Sequence, residues 1–110
     1  MAKRLFVALI ITILFVSTTL YAGQEEAVFE AQRCGICHKP DTGKANPSLK
    51  EIAQAYQGKE HQLIKYLKGE AEPIIKPEKG SMMKRYIEKT KALSDEERKS
   101  LADFIMSQGN

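Results

Sequence analysis

The chain has 110 residues, with 17 Lys and Arg against 14 Asp and Glu and a formal net charge of +3. That length confines it to one domain, and two cysteines only three positions apart, Cys34 and Cys37, exclude a disulfide framework between distant segments. The weak basicity is no footprint for nucleic acid, because removing the first 22 residues, with Lys3 and Arg4, leaves 15 basic against 14 acidic side chains.

In chain order, Lys3 and Arg4 precede an apolar run from Leu5 to Leu20, followed by Ala22-Gly23. This is the build of a secretory signal peptide, so residues 1–22 are expected to be a leader and residues 23–110 the working domain, exported to the periplasm. The run is shorter than the ~20 apolar residues a spanning helix needs. Leu20 is large for its place before the cleavage point, so an uncleaved leader acting as an anchor stays open.

A first helix is expected over residues 24–33: Glu25 and Glu26 at its start and Arg33 at its end suit the helix dipole, and Val28, Phe29 and Ala31 give a modest apolar face. It ends at Cys34-Gly35-Ile36-Cys37-His38, the pattern of a c-type haem attachment site. Each thiol can add to one vinyl group of a porphyrin, and the adjacent imidazole then faces the iron. A covalently held cofactor would also supply apolar surface to a domain too small to build a generous core.

Residues 39–47, with Pro40, Gly43 and Pro47, read as a loop. A short helix follows through Tyr56 and stops at Gly58; a second runs from Glu60 to Leu67 and stops at Gly69. Pro73 and Pro77 make residues 70–80 irregular, and Ser81 to Ile87 reads as a helical turn or two. Ser94 and Glu97 form a capping-box signature, with Leu93 at the staple position. The helix they open runs to about Ser107, with Leu101, Ala102, Phe104 and Ile105 on one side and Glu96, Arg98, Lys99 and Asp103 on the other. No stretch alternates at period two, so the fold class is all-α.

CxxCH near the start of the domain, a methionine in an irregular stretch and an amphipathic last helix together make residues 23–110 resemble the class I (monohaem) cytochromes c, closest to the cytochrome c-555 type of thermophilic bacteria. The resemblance implies N- and C-terminal helices crossing over one covalently bound haem c, with Phe29 and Phe104 at the crossing. It implies thioethers at Cys34 and Cys37, His38 as proximal iron ligand, and a Pro47 carbonyl that takes the second N–H of His38. Asn46 stands where the family commonly has glycine. Met83, directly before Lys84, is the distal ligand by the same resemblance. Met82 is the alternative and otherwise an apolar filler, Met106 a packing or surface residue, and His61 a surface histidine.

Under this reading Ile36, Leu49, Ile52, Leu63, Leu67, Ile74, Ile75 and Tyr86 wall the haem pocket, and Tyr56 and Tyr66 are candidates to meet the propionates. Lys39, Lys44, Lys84, Arg85, Lys89 and Lys91 rim the haem edge. The implied function is one-electron transfer without catalysis, by a monomer working between a membrane quinol-oxidising complex and a terminal oxidase or reductase. Three other readings stay open at this point: a gas-binding or peroxidatic haem protein with Met83 displaced; a thiol–disulfide enzyme using Cys34 and Cys37; and a zinc module taking a fourth ligand from His61 or a carboxylate.

Overall fold

A computed structural model describes residues 23–110; the expected leader, residues 1–22, lies outside the described residues. Helix α1 covers residues 23–31 and ends where Arg33 turns left-handed, with φ 60°. One 3-10 turn, Cys34–Ile36, follows at once. Helix α2, Leu49–Ala55, begins where the Ser48 hydroxyl accepts the Glu51 N–H at 3.1 Å, which satisfies one of the free donors of its first turn. Helix α3, Glu60–Leu67, ends in a full Schellman pair: Gly69 N–H reaches Tyr66 O and Glu70 N–H reaches Lys65 O, both at 2.9 Å. Gly69 holds φ at +75° there, a conformation that needs no Cβ.

A second 3-10 turn, Pro77–Lys79, leads into α4, Gly80–Lys91, and α5 runs Asp95–Ser107. Among the described residues there is no strand. The α5 capping box is complete, with Ser94 Oγ accepting from Glu97 N at 3.1 Å and Ser94 N donating to Glu97 Oε1 at 3.2 Å.

Helix α4 is longer than the turn or two that Ser81 to Ile87 suggests. Its second half looks polar because little of it is closed by apolar contact; Ile87 and Thr90 are its buried residues. Thr90 is tied down by a hydrogen bond instead, its hydroxyl reaching Leu67 O at 2.6 Å. That bond fixes the end of α4 to the end of α3.

Helix α5 packs against α2 and α3. Leu101 and Ala102 are fully buried, surrounded by Leu49, Tyr56, Leu63, Leu67 and Ile105. The Phe29 ring of α1 lies against Phe104 of α5, centroids 4.6 Å apart and planes tilted by 35°, within the range of favourable aromatic pairs. Gly35 lies under the same ring, where a Cβ would sit 3.3 Å from Phe29 Cε1.

Arg98 does not belong to the solvent face of α5. Its side chain is 4% exposed, and its guanidinium takes the carbonyls of Thr90 (3.1 Å), Lys91 (2.8 Å) and Leu93 (2.6 Å) as well as Asp95 Oδ1 at 2.8 Å. A cation is favoured there because the last carbonyls of α4 form the negative end of its dipole. The position that would complete a hydrophobic staple with Leu93 is thus filled by Arg98, which binds the Leu93 carbonyl instead.

Arg98→Ala is expected to lower the unfolding free energy by about 3 kcal/mol, since it strands buried carbonyls. Asp95→Asn is expected to cost less than ~1 kcal/mol, its carboxylate facing solvent. Urea unfolding of both variants checks this; equal losses would assign the corner to the ion pair rather than the carbonyls.

Candidate functional site

The helices leave between them a cavity of about 490 Å³, inside the roughly 300–1,000 Å³ of cofactor sites. Its walls are Leu49 and Ile52 from α2 with Tyr56 just past its end, Leu63, Tyr66 and Leu67 from α3, Ile105 from α5, and Pro73 and Ile75 from the irregular segment. Cys34, Cys37 and His38 line it from the turn after α1, and Met82 and Met83 from the first turn of α4. Two free thiols, an imidazole and thioether sulfurs around an apolar space fit a porphyrin carried on the thiols, with soft and imidazole donors for its iron.

His38 Nδ1 lies 2.7 Å from the Pro47 carbonyl. A carbonyl can only accept, so the proton sits on Nδ1 and the Nε2 lone pair is left for a metal. The loop that supplies this carbonyl is closed at its neck by Leu49 N–H to Lys39 O (2.8 Å) and Lys50 N–H to Pro40 O (3.1 Å). Inside it the chain folds tightly on itself: a Cβ on Gly43 would lie 2.5 Å from Ser48 N and 2.7 Å from Asn46 O. Glycine is therefore needed at 43 by close approach, whereas Asn46 lines the cavity.

Burial pushes the Cys34 thiol up, partly offset by a backbone hydrogen bond. Among the described residues no three His, Cys, Asp or Glu side chains are grouped to hold a metal ion, so the zinc reading finds no ligand set there. His61 is exposed on α3 and lies outside the walls.

Met83 is half-buried and packs on the core cluster. Met82 is 67% exposed, so it sits at the mouth and does not fill the interior. Met106 packs partly buried against the core. Leu49, Ile52, Leu63, Leu67, Ile75 and Tyr86 line the cavity, but Ile36 and Ile74 do not. Ile36 is 63% exposed because the tight turn aims Cys34 inward, leaves Cys37 at the exposed edge of the cavity and turns the Ile36 side chain outward. Ile74 contributes its backbone, not its side chain: its N–H donates to the Tyr56 hydroxyl at 3.3 Å.

Burial pushes the Tyr56 phenol up, and the Ile74 bond works against it. Tyr66 is pushed up to about 12, first by burial and then by the neighbouring Tyr56 and Glu72. The basic groups in the walls are Arg33, Lys76, Lys79 and Arg85. Of the six rim positions expected from sequence, Arg85 alone is among them. Lys89 approaches the Tyr86 ring instead, 5.9 Å from its centroid, alongside Arg85 at 5.1 Å. Sequence reasoning did not single out Arg33, Lys76 or Lys79 for the rim, although Arg33 adjoins Cys34, Lys76 adjoins Pro77 and Lys79 lies two residues beyond it.

A family model described as Cytochrome c matches residues 24–109. No curated protein matches the chain.

The Tyr66 shift has a measurable consequence. A phenol whose folded pKa is raised favours the fold while neutral; that contribution is intact below the ordinary value of 10.0 and lost as pH rises towards about 12. The ring carbon resonances of labelled tyrosine should show one ring ionising about two pH units late, absent in Tyr66→Phe. A Tyr66 ring titrating near 10 would contradict this.

Proposed function

The chain belongs to the cytochrome c family, and on that premise we propose that it is a small electron carrier of the c-555 type, holding one haem c through Cys34 and Cys37 with His38 and Met83 as axial ligands. The observation that supports this best is the convergence of Cys34, Cys37, His38 and Met83 on one apolar cavity. The cofactor of this family is a covalently attached haem c, which supplies a one-electron iron couple.

The chain's own residues set the conditions for that couple. Pro47 O holds the imidazole in one orientation and strengthens it as a donor through the Nδ1 hydrogen bond. The apolar walls from α2 and α3 would keep water off a bound haem iron, which would disfavour its more highly charged oxidised form and raise the potential. The Met83 thioether, as a ligand, would act in the same direction, being a soft donor that prefers reduced iron. With both His38 and Met83 as ligands, no coordination position would be left for a substrate, which suits a carrier rather than an enzyme.

A thiol–disulfide activity has less support. A redox-active cysteine needs a lowered pKa, and burial moves Cys34 the other way.

The proposed setting is the periplasm, reached by the leader at residues 1–22, with a membrane quinol-oxidising complex as donor and a terminal oxidase or reductase as acceptor. Among the described residues no helix is long and apolar enough to cross a membrane. The cavity walls carry Arg33, Lys76, Lys79 and Arg85 and no acidic side chain among the described residues. Such a rim steers an acidic partner by long-range attraction.

Met83→Ala is expected to remove the methionine-dependent long-wavelength absorption of the ferric protein. It should also lower the potential by on the order of a hundred millivolts, within the ~0.8 V that axial ligands govern. The same loss in Met82→Ala, with Met83→Ala unchanged, would move the ligand to Met82. Electron-transfer rates with a purified acidic partner should fall severalfold between about 10 mM and 150 mM salt, as the Debye length shrinks from roughly 30 to 8 Å; a flat profile would reject steering.

A further inference from the structure

The loop between residues 41 and 48 does more than orient His38. Three of its carbonyls accept hydrogen bonds from outside the loop: Lys44 O from Lys76 Nζ at 3.2 Å, Ala45 O from Lys79 Nζ at 2.6 Å, and Pro47 O from His38 Nδ1 at 2.7 Å. The loop is a stiff acceptor for all three, closed at its neck by the bonds of Leu49 and Lys50 and packed inside at Gly43.

The donors Lys76 and Lys79 precede the methionine-bearing end of α4. That end has no side-chain cap, and it is entered through a left-handed residue, Lys76 with φ 45°. The other end of α4 is fixed by Thr90 and Arg98. Helix α4 is thus anchored at its C-terminal end, while its first turn is held against the loop by two lysine ammonium groups.

We propose that Lys76 and Lys79 latch the first turn of α4 onto the loop that orients His38, so that these two ammonium–carbonyl bonds govern how readily the distal side of the cavity opens to an external ligand. This rests on Met83 as the distal ligand. Lys76 and Lys79 are positioning residues: they act through the segment that carries Met83. An outside ligand reaches the metal only in the open form, so its apparent affinity rises in proportion to the population of that form. Charge-assisted bonds to carbonyls are among the stronger hydrogen bonds, and the shorter, at Lys79, should contribute more.

The test is a titration of the intact ferric holoprotein with imidazole, followed by absorbance. Lys79→Met should bind imidazole about fivefold more tightly than wild type and Lys76→Met about twofold, the order expected for losing one charge-assisted hydrogen bond at a partly exposed site. Lys84→Met removes the same charge from an exposed position on the same helix and should leave the affinity unchanged. Equal affinities for Lys79→Met and Lys84→Met would overturn the latch.

Met83→Ala separates this outcome from failure of the ligand assignment. It should bind imidazole more tightly than any lysine variant; if it matches wild type, Met83 is not the ligand. The latch is then judged by amide hydrogen exchange over residues 77–83. Faster exchange in Lys79→Met than in Lys84→Met supports it, and equal exchange overturns it.

Discussion

Most of this structure follows from one constraint: a short chain is folded around a space it does not fill with its own side chains. Apolar walls that face no partner atoms forfeit those packing contacts, so a domain this small gains from whatever fills the space. A group that filled the cavity would therefore be part of the core, and under the proposed attachment at Cys34 and Cys37 it would stay there whatever the state of the iron.

Facing the cavity uses up apolar side chains that would otherwise join helix to helix. Leu49, Leu63, Leu67 and Ile105 belong both to the core cluster and to the cavity wall. The corner where α3, α4 and α5 meet is held by polar groups instead, with Thr90 on the Leu67 carbonyl and Arg98 on three carbonyls around the end of α4. A buried arginine is tolerated because four of its five N–H donors are engaged and the helix end is already negative. The aromatic contact of Phe29 with Phe104 then ties α1, and with it the Cys34 turn, to the same last helix. The CxxCH turn and the scaffold are joined through one helix.

Features governed by neighbours in sequence were legible without the structure. Gly69 ends α3, Ser94 and Glu97 cap α5, and the prolines of residues 70–80 keep that stretch irregular, because each acts over three or four residues. Arg98 was not legible: its burial depends on carbonyls that α4 brings to it, and at its place in α5 it reads like any solvated charge. The second half of α4 was hidden for the same reason, since Thr90 is held by a carbonyl of α3 and not by an apolar stripe. Ile36 and Ile74 show the opposite error. Hydrophobicity alone assigned them to the pocket, but facing direction is set by turn geometry, which aims Cys34 and Ile75 inward and turns those two isoleucines out.

The two non-glycine residues with left-handed backbone, Arg33 at φ 60° and Lys76 at φ 45°, give the last part of this picture. Such a conformation costs a residue with a Cβ about 1–2 kcal/mol, and glycine would relieve it, as it does at Gly58 and Gly69. Arg33 stands directly before Cys34, and Lys76 directly before the turn leading to Met83, so the strain lies at the two points where the chain enters the site. Both residues also line the cavity with long basic side chains, which glycine lacks. The turn dictates the backbone and the cavity mouth dictates the side chain; where the two demands conflict, the side chain has prevailed. Strain held at the edges of a site, while its interior rests on satisfied hydrogen bonds, is the pattern expected where function, not local stability, selects the residue.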